Sequence, residues 1–327
     1  MIRVGVCGLG SIGTQHARIL AELPDVEVVG YDADPARGAA LQADGHVHAA
    51  VATLAELIDA RPAAIVLAGP DHTHMAQLQA TVAAGVATLV EKPIAGSYAE
   101  ALTHRAAIAG SGVPVLVGYV LRHRPVLQAV RRHVLDGAIG RPTSAHVMLG
   151  AYSTIVVARS RFATAEPDRL YRDYSHEWDY LRWIFGPVAR VLAVARTATD
   201  VTHVEHPNLV DAMLQHERDV VVSCHLDYVE PRGLRTVHIV GTGGSLFADI
   251  GTGHLRLRRA GADADEVRDM AEPPAAALRR QAVHLLDVAA GRAEPIISFD
   301  DGLAALQIAE AVRDAAGTGA WLGVPHE

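Results

Sequence analysis

Lys92 is the only lysine in the 327-residue sequence; every other one of the 29 Lys and Arg residues is arginine. Guanidinium serves wherever a fixed charge, an ion pair or a long aliphatic stem is wanted. It does not release its proton or act as a compact ammonium donor at a reacting oxygen. The one position that kept an ammonium is therefore the first candidate for proton chemistry. Its context, Leu89-Val90-Glu91-Lys92-Pro93, ends an apolar run just before a proline, unlike a solvated helix face. A second candidate is His176, inside the run Asp173-Tyr174-Ser175-His176-Glu177-Trp178-Asp179 that continues to Gly186. Read as one amphipathic helix, this run puts Asp173, His176 and Asp179 on one face, with Trp183 and Phe185 toward a core. Acidic residues a turn either side of a histidine fix its tautomer and hold it as a proton acceptor. Arg159, Arg161, Arg169 and Arg172 lie just upstream. They read either as a solvated arginine loop or as a pocket for a phosphate, diphosphate or carboxylate.

These groups need elements to hold them. Ile2 to Cys7 is a short β-rich run, followed without a gap by Gly8-Leu9-Gly10-Ser11-Ile12-Gly13, a helical stretch from Thr14 to Leu23, and a second strand ending at Asp32. Gly8 allows the tight turn, Gly10 lets a pyrophosphate approach the backbone, and Gly13 lets the helix pack on the strand. The N–H groups from Ser11 and Ile12 onward and the helix dipole then face the phosphates. Asp32, about 20 residues beyond Gly13, is placed to accept hydrogen bonds from a ribose and to repel a 2′-phosphate. That favours NAD, with NADP as the alternative because Arg37 lies nearby. Ala63–Ala68 reads as a third strand ending at Gly69-Pro70-Asp71, with His74 in the first turn of the helix that follows. A fourth strand, 87–90, leads into Glu91-Lys92-Pro93, and Ser97 caps a helix to about Ala109 before a fifth strand, 113–119. Ligands sit at the carboxyl ends of strands in such sheets. Gly8, Asp32, Gly69, Pro70, His74, Glu91 and Lys92 all fall there.

Past Arg122 the pattern changes to a helix from Pro125, then strands at hairpin intervals: 144–151, 188–196, 211–217, 220–228, 235–240, 245–249 and 254–258. The expected fold is an α/β doubly wound Rossmann domain over 1–121 and an α+β domain over 122–327. The second domain carries a large, open, mainly antiparallel sheet whose free face is expected to bury against another copy as a homodimer or homotetramer. Gly261–Glu272 reads as the most loop-like stretch, and two helices, about 274–290 and 300–316, close the chain.

Formal charge is −8 with no basic run, which argues against nucleic-acid and anionic-membrane surfaces. Cys7 and Cys224 are isolated, and the His203–His206 pair lacks a further ligand at helical spacing, so neither a disulfide framework nor a metal is expected. No apolar stretch is long enough to span a bilayer, and the chain opens on a strand; a cytoplasmic location is expected.

GLGSIG, Asp32, AGPDHTH, Glu91-Lys92-Pro93, the YVLRHRP segment at 119–125, SHEWDYLRWIFG, HLDY at 225–228 and VGTGGSL at 240–246 together resemble the glucose–fructose oxidoreductase and inositol dehydrogenase (Gfo/Idh/MocA) family. The resemblance covers essentially the whole chain. It implies an NAD(P)-dependent oxidoreductase acting on hydroxyl carbons of sugars, nucleotide sugars or cyclitols. It also implies Lys92 as the active-site lysine, His176 as the catalytic histidine and Asp173 as its partner carboxylate. Tyr119, Arg122, Asp179 and Arg172 are candidates to contact the substrate. Many members carry the carboxylate four residues before the histidine, where this chain has Arg172, and the glycine-rich approach to that helix is replaced here by 166–172. Reduction of a C=N or C=C bond, or a non-catalytic NAD-binding sensor, are the alternative functions.

Overall fold

The computed structural model describes residues 1–150, 169–198 and 207–325. Arg159, Arg161, residues 166–168, the His203–His206 pair and Ala151 lie outside them. The chain divides into two compact units, Met1–Val120 with Pro274–Leu306, and Leu121–Pro273 with Gln307–Glu327. The division expected at residue 121 is therefore amended, because 274–306 return to the first unit.

The first unit alternates strand and helix: β1 (Ile2–Cys7), α1 (Ser11–Ala21), β2 (Val26–Tyr31), α2 (Pro35–Ala43), β3 (Ala49–Val51), α3 (Leu54–Asp59), β4 (Ala64–Leu67), α4 (Asp71–Ala83), β5 (Ala87–Val90), α5 (Tyr98–Ser111) and β6 (Val115–Val117). All strands run parallel in the order β3-β2-β1-β4-β5-β6. The order reverses between β1 and β4, which is where such sheets bind ligands. β4 and β5 are buried at every position, as strands covered on both faces must be. The strand expected third is the fourth, because β3 and the helices α2 and α3 intervene. Both helices carry ordinary start signals. Asp34 accepts from the Ala36 N–H ahead of Pro35, and Thr53 accepts from the Glu56 N–H while Glu56 reaches back to Ala52. Ser97 caps α5 through the Glu100 N–H, as expected, and Gly112 ends it at φ 68°.

Helix α9 (Ala276–Ala289) belongs to this unit for a plain reason. Its Leu278, Ala282, Leu285 and Val288 lie in one core with Val4, Val6, Ile19, Leu20, Ala87 and Leu89. Burying each larger side chain is worth about 1.5–3 kcal/mol, so α1 and the sheet hold this distant segment.

The second unit begins with α6 (Pro125–Leu135) and β7 (Pro142–Gly150). The described chain resumes with α7 (Arg169–Asp173), α8 (Ser175–Phe185), β8 (Val188–Arg196), β9 (Leu209–His216), β10 (Val221–Asp227), β11 (Leu234–Gly241), β12 (Gly244–Asp249), β13 (His254–Arg259) and β14 (Glu266–Asp269). The long helix α10 (Phe299–Thr318), which belongs to the first unit up to Leu306 and to the second from Gln307, precedes the short final strand β15 (Leu322–Gly323). The sheet has nine strands in the order β14-β13-β12-β11-β7-β10-β9-β8-β15 and is antiparallel except for β7 with β10. β14 corrects the loop expected at 261–272. Its sequence Glu266-Val267-Arg268-Asp269 carries no apolar alternation, and Glu266 pairs with Arg259 on the neighbouring strand.

Candidate functional site

In the first unit, Gly8 stands at the end of β1 with φ 89°, and a Cβ there would lie 2.5 Å from the Gly69 nitrogen. Glycine is required both by the backbone angle and by the closeness of the β4 turn. Gly10 caps α1 without a side-chain bond, and the first turn holds no acidic residue. Its free N–H groups and positive dipole end thus remain available to an anion. A Cβ on Gly13 would run into the Gly8 carbonyl oxygen, so Gly13 closes the loop on itself. Asp32 ends the sequence of contacts here. It takes the Leu9 N–H at 2.6 Å and the Asp34 N–H at 2.8 Å, with the Arg37 guanidinium 3.5 Å away. Each carboxylate oxygen keeps acceptor capacity for a ribose hydroxyl.

Lys92 follows β5 and is half-buried. Its backbone N–H donates to Glu91 Oε2 at 3.1 Å, and the other Glu91 oxygen accepts from His16 Nε2 at 2.7 Å. His16 and Glu91 are both buried, with side chains 1% and 9% exposed. The Lys92–Pro93 peptide is cis. His74, expected to wall the cofactor, is also buried: Nδ1 lies 2.9 Å from the Pro93 carbonyl and Nε2 3.0 Å from that of Gly69. Here it braces the Gly69-Pro70 turn against the Glu91-Lys92-Pro93 turn. Burial lowers its pKa below the ordinary imidazole value, against the opposite pull of the two carbonyls. Tyr119 is buried too, its hydroxyl included. Cys7 is inert, since burial together with the Asp32 charge pushes its thiol up to about 12.

In the second unit the expected single helix is two. Asp173 ends α7, Tyr174 turns the chain, and His176 lies in the first turn of α8, so Asp173 and His176 do not share one helix face. Asp173 instead takes the Tyr228 hydroxyl at 2.7 Å and Arg169 Nε at 3.1 Å. Arg122 and Asp179, expected to reach the substrate, are paired with each other. Arg122 Nε meets Asp179 Oδ2 at 2.9 Å, a second bond joins Nη2 to Oδ1, and the two side chains are 2% and 1% exposed. Burial of that depth demands the pairing. Glu177, next to His176, is fully buried and forms an ion pair with Arg235 at 3.0 Å. Arg172, half-buried, lies in the last turn of α7, just before Asp173.

The residues missed from the sequence are His16, Tyr228 and Arg235. His16 sits one helical turn after Gly13 on the face of α1 that meets the sheet, a position that marks an inward imidazole.

Residues 2–119 match the family model described as "Oxidoreductase family, NAD-binding Rossmann fold", and residues 127–247 match that of the "GFO/IDH/MocA C-terminal domain". Among curated relatives, inositol 2-dehydrogenase 1 of Saccharopolyspora erythraea is 34% identical over 60% of this chain and 58% of its own length. The chain thus spans less than two thirds of that relative. D-apiose dehydrogenase of Paraburkholderia graminis is 30% identical over 82% of this chain and 72% of its own. Among solved structures, a levoglucosan dehydrogenase in complex with NADH and levoglucosan superposes with a TM-score of 0.85 at 20% identity, covering 99% of this chain and 100% of that one. It shows the shared fold.

Proposed function

The chain belongs to the Gfo/Idh/MocA family of oxidoreductases, and from that premise we propose that it is an NAD-dependent dehydrogenase of a neutral cyclitol or sugar. The observation that carries the reading is the chain's sole lysine at the carboxyl end of β5, one strand from β4 and two from the glycine loop of β1. Its backbone is fixed by the buried Glu91 and its turn by His74. Bound NAD supplies the hydride acceptor at the nicotinamide. Gly8, Gly10, Ser11, Ile12 and Gly13 hold the pyrophosphate. Asp32 holds the adenosine ribose, and with Arg37 drawn onto Asp32 and Asp34 it disfavours a 2′-phosphate. On oxidation of a secondary alcohol, His176 takes the hydroxyl proton. The role of Lys92, carried over from the family resemblance, is to donate a hydrogen bond to a developing alkoxide and stabilise its charge. The family resemblance makes Asp173 the partner carboxylate of His176, although it ends a separate helix and its oxygens are held by Tyr228 and Arg169.

Two cations beside the His176 helix are already neutralised, Arg122 by Asp179 and Arg169 by Asp173. That supports an uncharged substrate of the kind named in the inositol, apiose and levoglucosan enzymes. Purified protein with NAD and a panel of inositols and sugars should generate NADH absorbance. Lys92→Arg should lower turnover by roughly two orders of magnitude while NAD still binds, since the charge stays and the compact donor goes. Near-wild-type turnover in that variant would remove Lys92 from the mechanism. Uridine diphosphate inhibiting far better than a neutral sugar would overturn the uncharged substrate.

The reading includes a homodimer or homotetramer through the open face of the nine-stranded sheet. Met213 and Val194 lie exposed there on the neighbouring strands β9 and β8, and Met148 on β7 one strand further across, beyond β10. Sedimentation of wild type against Met213→Lys checks it: the variant should shift toward monomer, and an unchanged assembly would discard this face.

A further inference from the structure

Glu91 is gripped between two elements of the first unit. On one side His16 Nε2 donates to Oε1; on the other, Gly118 leaves the room the carboxylate occupies. A Cβ at Gly118 would lie 2.6 Å from Glu91 Oε2, 2.7 Å from its Cδ and 2.9 Å from Oε1. The carboxylate so confined accepts the Lys92 N–H. His16 belongs to α1, the helix whose amino end faces the glycine loop, and Thr14 ties the same turn to that loop through the Leu9 carbonyl at 3.1 Å. A chain of hydrogen bonds, buried at His16–Glu91 and part-buried at its ends, therefore runs from the helix that meets the dinucleotide phosphates to the backbone of the lysine.

We propose that His16 is a positioning residue, which through Glu91 sets the placement of the Lys92 ammonium and couples it to occupancy of the glycine loop. A buried carboxylate with a fixed hydrogen-bond donor has one orientation; without the donor it reorients or takes up a proton. The Lys92 N–H then loses its fixed acceptor. The inference rests on the reading of Lys92 as a group beside the nicotinamide, but it is a claim about geometry and has its own readout.

Because Lys92 is the only lysine, reductive methylation with ¹³C-formaldehyde labels just that side chain and the N-terminal amine, which serves as internal reference. The dimethylated ammonium keeps its charge, so its resonance reports the surroundings of Lys92 whether or not a substrate turns over. In the wild type, saturating NAD should shift the Lys92 resonance. His16→Leu should displace that resonance, and its response to NAD should be lost while the NAD dissociation constant stays within about threefold. His16→Gln, whose amide nitrogen can donate from the place of Nε2, should restore the response. Gly118→Ala, which crowds Glu91 from the opposite side, should reproduce the His16→Leu spectrum and serves alone if that variant does not fold. A Lys92 resonance that matches the wild type in these variants overturns the proposal. So does a His16→Gln protein that behaves like His16→Leu, because the effect would then be one of packing. A polyol panel that yields no NADH while the Lys92 resonance still follows His16 would count against the dehydrogenase and leave the link standing.

Discussion

Arg122 and Asp179 illustrate how a residue type proposed for substrate contact is taken up by the fold. Both side chains are almost wholly buried, and two hydrogen bonds join them. A buried pair of this kind contributes little net stability over an apolar pair of the same volume, yet removing one partner strands a charge. Asp179→Leu should therefore destabilise the protein by about 3–5 kcal/mol, and adding Arg122→Met should recover most of the loss. Denaturant unfolding of the single and double variants measures it. A double variant no better than the single one would mean that Asp179 works by some route other than neutralising Arg122. Which arginine would find a carboxylate partner was not legible, because the two residues are 57 positions apart and no local pattern links them. Lys92 was legible for the opposite reason. A single lysine among arginines is a compositional fact that needs no geometry. His16, one of many histidines, had no such mark until Glu91 was found beside it.

At the scale of elements, the glycine loop separates two jobs that its motif lists together. Gly13 has no room for a methyl group against the Gly8 carbonyl, whereas at Gly10 the nearest atom to a Cβ is an Arg37 nitrogen 3.7 Å away. Gly13→Ala should thus destabilise the fold by about 1–3 kcal/mol or more, as overpacking against backbone does. Gly10→Ala should melt like the wild type yet bind NAD at least about tenfold more weakly, because the added methyl stands where a phosphate must approach. Thermal unfolding and NAD titration of both variants check this; equal losses of stability would show that the loop is one packing unit. The strand, glycine loop, helix, strand and acidic residue were all legible, since each has a distinct local requirement. Asp34-Pro35 and the capping box Thr53-Leu54-Ala55-Glu56 also announce α2 and α3, although the helices themselves are short and weakly periodic. The break at Tyr174 carried no such sign. The apolar spacing runs through it, and the contacts that accompany the turn are tertiary: the Tyr228 hydroxyl donates to Asp173, and the Tyr174 hydroxyl donates to the Asp227 carbonyl.

Over the whole molecule, long-range packing decided what local patterns left open. The return of α9 to the first unit rests on Leu278, Ala282, Leu285 and Val288 meeting the α1 and sheet core, a contact between residues more than half the chain apart. Burial also sets a pH response common to both units. His74 in the first and His216 in the second are each 1% exposed, and desolvation lowers the pKa of both below the ordinary value of 6.5. As pH falls through about 6.5, the unfolded chain takes up protons at these positions while the folded protein does not. The unfolded state then binds more protons, so stability present above that pH is lost on acidification, by up to about 1.4 kcal/mol per pH unit for each histidine. Melting temperatures measured from pH 7.5 to 5.5 should fall accordingly. His74→Gln, which keeps one donor to a carbonyl but does not titrate, should flatten the slope, although its stability at pH 7.5 need not exceed that of the wild type. A variant that loses stability on acidification as steeply as the wild type would show that His74 already carries a proton in the folded protein, donating to the Pro93 and Gly69 carbonyls at once.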